Sequence, residues 1–401
     1  MAHTHGDADH AVTDVPRPLR RLLTLLLIPP IALTVIGAAV LWPRGGGPDL
    51  SSVFGASGDL VGATVTAIDE QDCDVAIGDI SQGTCSTITA RLTEGDNKGD
   101  TVNIDAGGTT DVMRVGSRIV VSSGDGAPGT YYYADFQRDR PIVLLVVLFV
   151  VAAVAFGRSS GVRALAALAA SLVALVWFVL PAILQGHSPI AVALVGASMI
   201  MVVVLYVTGG FTTQSTVAVL GTMASFVIIA ALAWLFVRMA HFTGLANEDA
   251  VFLQAANGEI NLQGLLLGGI VIGSLGVLDD MTVTQVSAVW ELRKSRSDFN
   301  ARSLYAAAER IGRDHIASTI NTLVLAYAGA SLPLLIYFTQ SNLPLRHVFT
   351  NEVIAVEIVR ALVGSVGLIA SVPLTTALAA YVVTRPNVRA DDSGDVPLVA
   401  T

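Results

Sequence analysis

The stretch Ile190–Thr208, IAVALVGASMIMVVVLYVT, contains no charged side chain. A helix needs roughly 20 apolar residues to cross the hydrocarbon core of a bilayer. Seven further stretches of the same character lie along the chain: Leu22–Trp42, Pro141–Gly157, Arg163–Leu184, Thr216–Met239, Leu262–Asp279, Ile316–Phe338 and Ile354–Val383. Together they predict an α-helical polytopic membrane protein with about eight transmembrane helices. The last stretch is long enough to be tilted, or to break at Ser371-Val372-Pro373.

The composition agrees with this class. Hydrophobic residues make up 53% of the 401 residues and charged residues 14%, whereas soluble domains carry about 25% charged residues. Most of the chain is therefore expected to be solvated by the lipid bilayer. The net charge of -9 and the lack of a basic patch with interleaved aromatic residues argue against a nucleic-acid partner.

The basic residues predict the orientation, because Lys and Arg concentrate in cytoplasmic loops. Arginines precede the first stretch, so residues 1–21 are interpreted as a disordered cytoplasmic leader and residues 385–401 as a cytoplasmic tail. Alternation then places most basic residues inside, with Arg346 as the exception: Arg158, Arg163, Arg293, Lys294, Arg296, Arg302, Arg310, Arg313, Arg385 and Arg389. The protein is expected in the plasma membrane. Because Trp42-Pro43-Arg44 offers no small-residue cleavage pattern, a retained anchor is favoured over a signal peptide.

Residues 45–140 differ from the rest, being rich in Gly, Asp and Thr with short alternating runs typical of half-buried strands. The runs are Ala63–Ile68, Ser86–Leu92, Thr101–Ile104 and Arg118–Ser122. They predict a small extracytoplasmic all-β domain, with an OB-like barrel as the first interpretation and a sandwich as the alternative. An envelope protein is a candidate partner for this domain.

Both cysteines, Cys73 and Cys85, lie in this segment. An oxidising compartment permits a disulfide between them, and the alternative is a redox or metal pair.

The amino terminus carries a metal-like pattern of His3, His5 and His10 with Asp7 and Asp9. These side chains could bind zinc or nickel weakly, and the alternative is a polar leader without a specific ligand. We expect no resident metal or cofactor.

The sixth stretch and its continuation carry a stripe of positions within one helical face. The stripe consists of Gly269, Gly273, Gly276, Asp280, Thr284, Ser287 and Glu291. Glycines let another helix approach closely, so Gly269, Gly273 and Gly276 are predicted to pack against a neighbour. An Asp at the centre of a span costs ~2.5–3.5 kcal/mol, and each Leu, Ile or Val returns only ~0.3–0.6 kcal/mol. Asp279 and Asp280 are therefore expected to face different surroundings, with Asp280 on the packed stripe.

Two alternatives remain for these aspartates. In the first, they are part of an ion or proton pathway, since ionisable groups inside a bundle usually mark one. In the second, they only cap the membrane end of the helix or pair with a nearby Arg.

The seventh stretch opens with a second polar group. Its candidate pathway residues are Asp314, His315 and Asn321, and interhelical hydrogen bonding is the competing interpretation. Residues 299–312 before it are predicted to form an amphipathic helix on the cytoplasmic membrane surface. The uncharged loop Thr208–Thr216 is interpreted as a tight turn, with a re-entrant substrate element as the alternative.

Two segments resemble the signature segments of the YibE/F-like family of membrane proteins. They are Gly276–Leu292, GVLDDMTVTQVSAVWEL, and Gly312–Leu334, GRDHIASTINTLVLAYAGASLPL. The resemblance runs from about Leu60 to Val383. Some members carry a single Asp followed by Val-Ala where this chain has Asp279-Asp280-Met281, which leaves open which Asp is the matching one. The resemblance implies a multi-pass membrane protein with a proposed transport role, without a substrate or assigned residues.

Three functions follow from these observations. A transporter of an unidentified solute or ion is favoured by polar and acidic side chains inside apolar spans, namely Asp279, Asp280, Thr284, Ser287, Asp314, His315 and Asn321. The alternative is a scaffold whose β-domain binds an envelope partner. An enzyme is not expected, because the spans carry no Ser and Lys pair, HExxH or GxGD.

Overall fold

The computed structural model describes residues 16–45, 60–73, 83–105, 113–123, 130–246, 248–256, 260–340 and 344–385. The chain divides into two compact units, one formed by Met1–Gly47 with Ser159–Thr401 and the other by Pro48–Arg158. The first unit is helical. The second contains a β-sheet and the first part of a long helix.

The helices are numbered in chain order: α1 Arg17–Leu41, α2 Asp139–Leu184, α3 Pro189–Gly209, α4 Thr213–Met239, α5 Glu248–Ala256, α6 Leu262–Ser295, α7 Ala301–Ala330, α8 Leu332–Gln340, α9 Leu345–Thr350 and α10 Glu352–Val383. Among the described residues, six helices are long and apolar enough to cross a membrane, or seven if the bent pair α7 and α8 is one span. The prediction of a mostly helical protein with several candidate membrane spans is confirmed.

Helix α2 corresponds to two predicted stretches. Its backbone is non-helical at Arg158, where φ is 50° and ψ is -129°, so the element consists of two successive helices. A π-helical turn, Leu175–Val179, follows in the second half.

Helices α7 and α8 differ from the prediction. Residues 299–312 do not form a separate surface helix, because Asn300 caps α7 and the helix continues to Ala330. Leu304 and Ala308 of its first part belong to the main hydrophobic core. The chain then bends by 62° before α8, where Pro333 occupies the first turn and its missing N–H removes no helical bond. Helix α10, in contrast, continues through Pro373.

The sheet has five antiparallel strands: β1 Leu60–Cys73, β2 Gly83–Leu92, β3 Thr101–Asp105, β4 Arg118–Ser123 and β5 Tyr131–Phe136. Their order is β3-β2-β1-β4-β5, and the edge strands β3 and β5 also contact each other, which curls the small sheet. One face buries a core that includes Val65, Ile88, Ile104, Ile119 and Val121. Strand β5 was not predicted, although its sequence YYYADF has the aromatic content of a strand.

The junction between β5 and α2 is held by an ion pair at the surface. Arg138 donates to Asp135 Oδ2 at 2.6 Å, and the Phe136 N–H donates to Asp135 Oδ1 at 2.7 Å. Both interactions stabilise the carboxylate, and they lower the pKa of Asp135 below its ordinary value.

The helical unit is built around α4, α6 and α10, which pack against one another, with α3 on α6 and α7 on α10. Ile229, Ile270 and Val271 are fully buried at the centre. Helix α1 joins this core through Leu23 and Leu27.

Candidate functional site

Helix α6 presents two opposite faces. Ser274, Leu278 and Thr282 are buried against the other helices, whereas Gly276 and Asp280 are exposed. Successive residues turn by about 100°, so adjacent residues of one short segment belong to different environments. The candidate side chains therefore divide into a buried set and an exposed set.

The buried set forms a line of polar side chains between α4, α6 and α10, which we call the polar seam. Each member is at most 6% exposed. The members are Ser215, Thr222, Ser225, Ser274, Thr282, Gln285, Ser365, Ser371, Thr375 and Thr376.

Within the seam the helices make close polar contacts. The hydroxyls of Thr222 and Thr282 are 2.6 Å apart, so one donates to the other, and each also lies 2.9 Å from a carbonyl oxygen of its own helix. A Cβ added at Gly221 would lie 2.5 Å from Thr375 Oγ1, and one at Gly364 would lie 3.5 Å from Ser274 Oγ. Glycine at 221 thus allows α4 to approach the polar face of α10.

Gln285 connects the seam to α7. Its side chain is buried, and Nε2 donates to the Ala308 carbonyl at 2.8 Å. A Cβ added at Gly312 would lie 2.8 Å from Gln285 Oε1. The small residue at 312 therefore lets the amide fit between α6 and α7.

An ion pair that the sequence analysis did not predict lies on α10, about one turn before the first seam residue of that helix. Arg360 Nη1 donates to both carboxylate oxygens of Glu357, at 2.7 and 2.9 Å. The two side chains are 25% and 27% exposed, and the guanidinium carbon lies 5.9 Å from the centre of the Tyr327 ring on α7. In the sequence this pair is visible as two opposite charges three residues apart, inside the stretch 354–383 that otherwise carries no charge.

Asp279 lies further along α6, on the flank between its buried and exposed faces. Its Oδ1 atom is buried and has no hydrogen-bond partner in the described part of the chain. A buried carboxylate oxygen without a partner is costly. A proton or a cation at this oxygen would remove that cost.

Asp280 has different surroundings from those predicted. Its side chain is 69% exposed, and an ionisable neighbour is His315 of α7, with 3.8 Å between Oδ2 and Nε2. The expectation that Asp280 lies on a packed stripe is wrong within a single chain, because this face of α6 is directed away from the helical core.

The glycine stripe shows the same departure. Among the described residues, a Cβ at Gly269 or Gly276 would meet no atom within 4 Å, and one at Gly273 would meet only Tyr327 Oη, at 3.8 Å. The predicted packing is therefore not formed within one chain, and packing between chains stays a prediction.

The remaining predicted residues are separated by the fold. Thr284 donates to the Asp280 carbonyl, and Ser287 accepts from Gln214 of α4 at 2.9 Å. Asp314 and Asn321 are exposed on α7. Of these four residues, Ser287 is therefore the one that contacts a helix packed against the buried side of α6, through Gln214 of α4.

The loop Thr208–Thr216 is a tight turn, in agreement with the favoured interpretation. Helix α3 ends at Gly209, Gly210 has a φ of 69°, and α4 begins at Thr213. The Ser215 N–H donates to Thr212 Oγ1 at 3.1 Å and thereby caps α4.

The other candidate ligands lie outside the described structure. The His3, His5 and His10 group belongs to undescribed residues, and the side chains of Cys73 and Cys85 are likewise not described, although both backbones belong to the paired strands β1 and β2. The disulfide stays a prediction. Within the described ranges, no three His, Cys, Asp or Glu side chains are grouped as a metal site would require.

Comparison with known proteins gives one family. A family model described as YibE/F-like protein matches residues 145–385, which is well over half of the chain and includes the whole seam and both aspartates. The sheet precedes the matched region. No curated protein and no solved structure matches the chain.

Proposed function

The chain belongs to the YibE/F-like family of membrane proteins, and from this premise we propose that it is a transporter whose solute path follows the polar seam. The family description names no substrate, so the proposal depends on the arrangement of side chains. The observation that carries it is the set of buried polar side chains shared by α4, α6 and α10, with Asp279 on the flank of α6 between the levels of Ser274 and Thr282.

The length of this line fits a membrane path. From Ser365 to Thr376 the seam on α10 rises roughly 17 Å at ~1.5 Å per residue, and the ion pair at Arg360 extends this to roughly 24 Å of a hydrocarbon core about 30 Å thick. Most seam hydroxyls donate to a carbonyl of their own helix, as Ser274 does to Ile270 and Thr376 to Val372. Their oxygen lone pairs are still available to a passing solute.

Asp279 is the proposed coupling group. Its Oδ1 atom is buried without a described partner, whereas Asp280 is largely exposed and lies beside His315. A carboxylate that exchanges a proton or cation changes its charge and thereby the stability of the surrounding helix arrangement. We therefore assign the coupling role to Asp279, and not to Asp280.

The proposal includes the topology. Counting the two parts of α2 separately and α7 with α8 as one span gives eight spans, with both termini cytoplasmic and the protein in the plasma membrane. The β-sheet is then extracytoplasmic. Its strand order, with β3 beside β5, supports the OB-like barrel interpretation.

A scaffold function is the second candidate, and one observation favours it. Leu60 and Tyr132 are 59% and 57% exposed, and both flank Ser122 in the strand register. An exposed apolar pair on one sheet face suits an envelope partner. We propose no enzymatic activity.

The experiment is flux into proteoliposomes that contain the purified full-length protein. Internal pH is followed with pyranine and cation uptake with ²²Na⁺, under imposed pH and Na⁺ gradients. We expect Asp279→Asn to abolish gradient-dependent flux, because the amide cannot exchange charge, and Asp280→Asn to retain most of it.

Asp280→Asn is the matched control for Asp279→Asn, because both substitutions replace a carboxylate by an amide in the same helical turn. Loss of flux in Asp280→Asn alone would move the path to the exposed face beside His315. Flux in neither the wild type nor the variants, with all three folded, would favour the scaffold.

A further inference from the structure

A cavity of about 250 Å³ lies where α3 ends and α4 begins, against the side of α6. Its walls combine four polar side chains with aliphatic ones and contain no charged residue. The lining consists of Leu205, Thr208, Gly209, Gln214, Ser215, Ala218, Val283, Val286 and Ser287.

The polar lining presents oxygen atoms to the cavity region. Thr208 Oγ1 donates its hydrogen to the Val204 carbonyl at 2.8 Å, so its lone pairs are left as acceptors. Gln214 uses its amide nitrogen on Ser287, which leaves the amide oxygen as its acceptor. The carboxyl end of α3 contributes partial negative charge here and the amino end of α4 partial positive charge, so the two helix ends oppose each other and the side-chain oxygens carry the argument.

A carboxyl side chain lies one turn before the cavity residues of α6. Asp279 precedes Val283 by four residues and Val286 by seven, and these spacings place all three on one side of the helix. Its Oδ1 atom is buried without a described hydrogen-bond partner. The Thr222–Thr282 hydrogen bond lies at this level of the seam, one turn beyond Ala218 and Val286.

We propose that this cavity binds a partly hydrated alkali-metal cation, which Asp279 neutralises from the adjoining turn. Neutral oxygen ligands with one nearby carboxylate match a single positive charge, whereas Ca²⁺ takes 6–8 oxygen ligands with several carboxylates. A water molecule occupies about 30 Å³, so the volume holds a cation with part of its hydration shell. The role of this cation in transport rests on the proposed function, but its binding does not.

The test measures binding without flux. Thermal unfolding of the detergent-solubilised full chain is followed in NaCl or KCl, with choline chloride keeping the ionic strength constant. A ligand that binds only the folded state raises the unfolding temperature, so we expect stabilisation by NaCl or KCl over choline chloride.

Three variants locate the site. Ser287→Ala removes one cavity oxygen, and we expect about tenfold weaker apparent affinity for Na⁺, with recovery in Ser287→Thr. Ser171→Ala is the matched control, because that hydroxyl donates to the Ala167 carbonyl of its own helix, away from the cavity, and it should bind Na⁺ as the wild type does.

Equal stability in NaCl, KCl and choline chloride would overturn the proposal, and so would equal affinities of Ser287→Ala and Ser171→Ala. Stabilisation that depends only on pH would show that a proton, and not a cation, neutralises Asp279. Gradient-dependent flux without cation-dependent stability would reject the cation site and leave the transporter proposal standing. Cation-dependent stability without flux would support the cation site and reject the transporter proposal.

Discussion

At the scale of single residues, two adjacent aspartates of α6 have opposite environments. The buried Oδ1 atom of Asp279 has no described partner, whereas Asp280 is exposed beside His315. The physical cause is the rotation of 100° between neighbours in a helix, which turns one side chain toward the flank of the core and the other away from it. The orientation of α6 thus decides which aspartate has a buried carboxylate oxygen.

The Glu357–Arg360 pair supports a prediction on stability. Replacing either partner alone, by Glu357→Gln or Arg360→Gln, leaves one charge inside an apolar span. Breaking a buried pair costs about 3–5 kcal/mol, and because both side chains are about one quarter exposed we expect on the order of 1–3 kcal/mol here. Denaturant unfolding of the purified full chain measures this loss.

The double variant with both substitutions is the control for that measurement. It removes both charges, so most of the lost stability should return. Additive losses in the double variant would show that the two side chains act independently and that the ion pair contributes little.

At the scale of the elements, glycines determine which helices approach each other. Close contacts occur at several glycines, among them Gly196, Gly221 and Gly268, where an added Cβ would lie less than 3 Å from a neighbouring side chain. They are not at the predicted stripe of Gly269, Gly273 and Gly276. The repeat of small residues therefore lies on one face of α6, but it did not identify which neighbour, if any, covers that face.

Gly221→Ala and Gly276→Ala separate these two situations. The new methyl group at 221 would meet Thr375 Oγ1 at 2.5 Å, so overpacking should destabilise the fold by about 1–3 kcal/mol. Gly276→Ala meets open space and should stabilise the helix by up to about 1 kcal/mol. Both are measured by denaturant unfolding.

The informative outcome is a loss of stability in Gly276→Ala comparable to that in Gly221→Ala. It would mean that a second chain packs against the stripe, because no described atom of the same chain lies near Gly276.

At the scale of the whole molecule, the helical unit and the sheet unit have separate cores. Their division falls at Arg158, where the helix backbone is interrupted. In the predicted topology, most Lys and Arg residues lie in cytoplasmic loops and termini. This pattern is the basis for our proposal that the sheet lies outside the cell.

Cysteine labelling tests this placement. Lys98→Cys lies in the exposed turn between β2 and β3, and Ser297→Cys lies in the exposed connection between α6 and α7. In intact cells a membrane-impermeant maleimide should label the first variant, and it should label the second only after permeabilisation. The wild-type chain reports the background from Cys73 and Cys85, and the reverse labelling pattern would invert the topology.

Sequence patterns predicted a helical membrane protein, because a helical span needs about 20 consecutive, largely apolar residues and that composition is a local property. They also identified the sheet segment, the turn at 208–216 and the YibE/F-like family, which the comparison confirmed over residues 145–385. The packing of the helices was needed to show that Asp279 has a buried oxygen, that Thr222 contacts Thr282 and that Thr375 lies against Gly221. Those contacts join residues far apart in the chain, and helical periodicity fixes which side chains share a face but not which helix lies opposite.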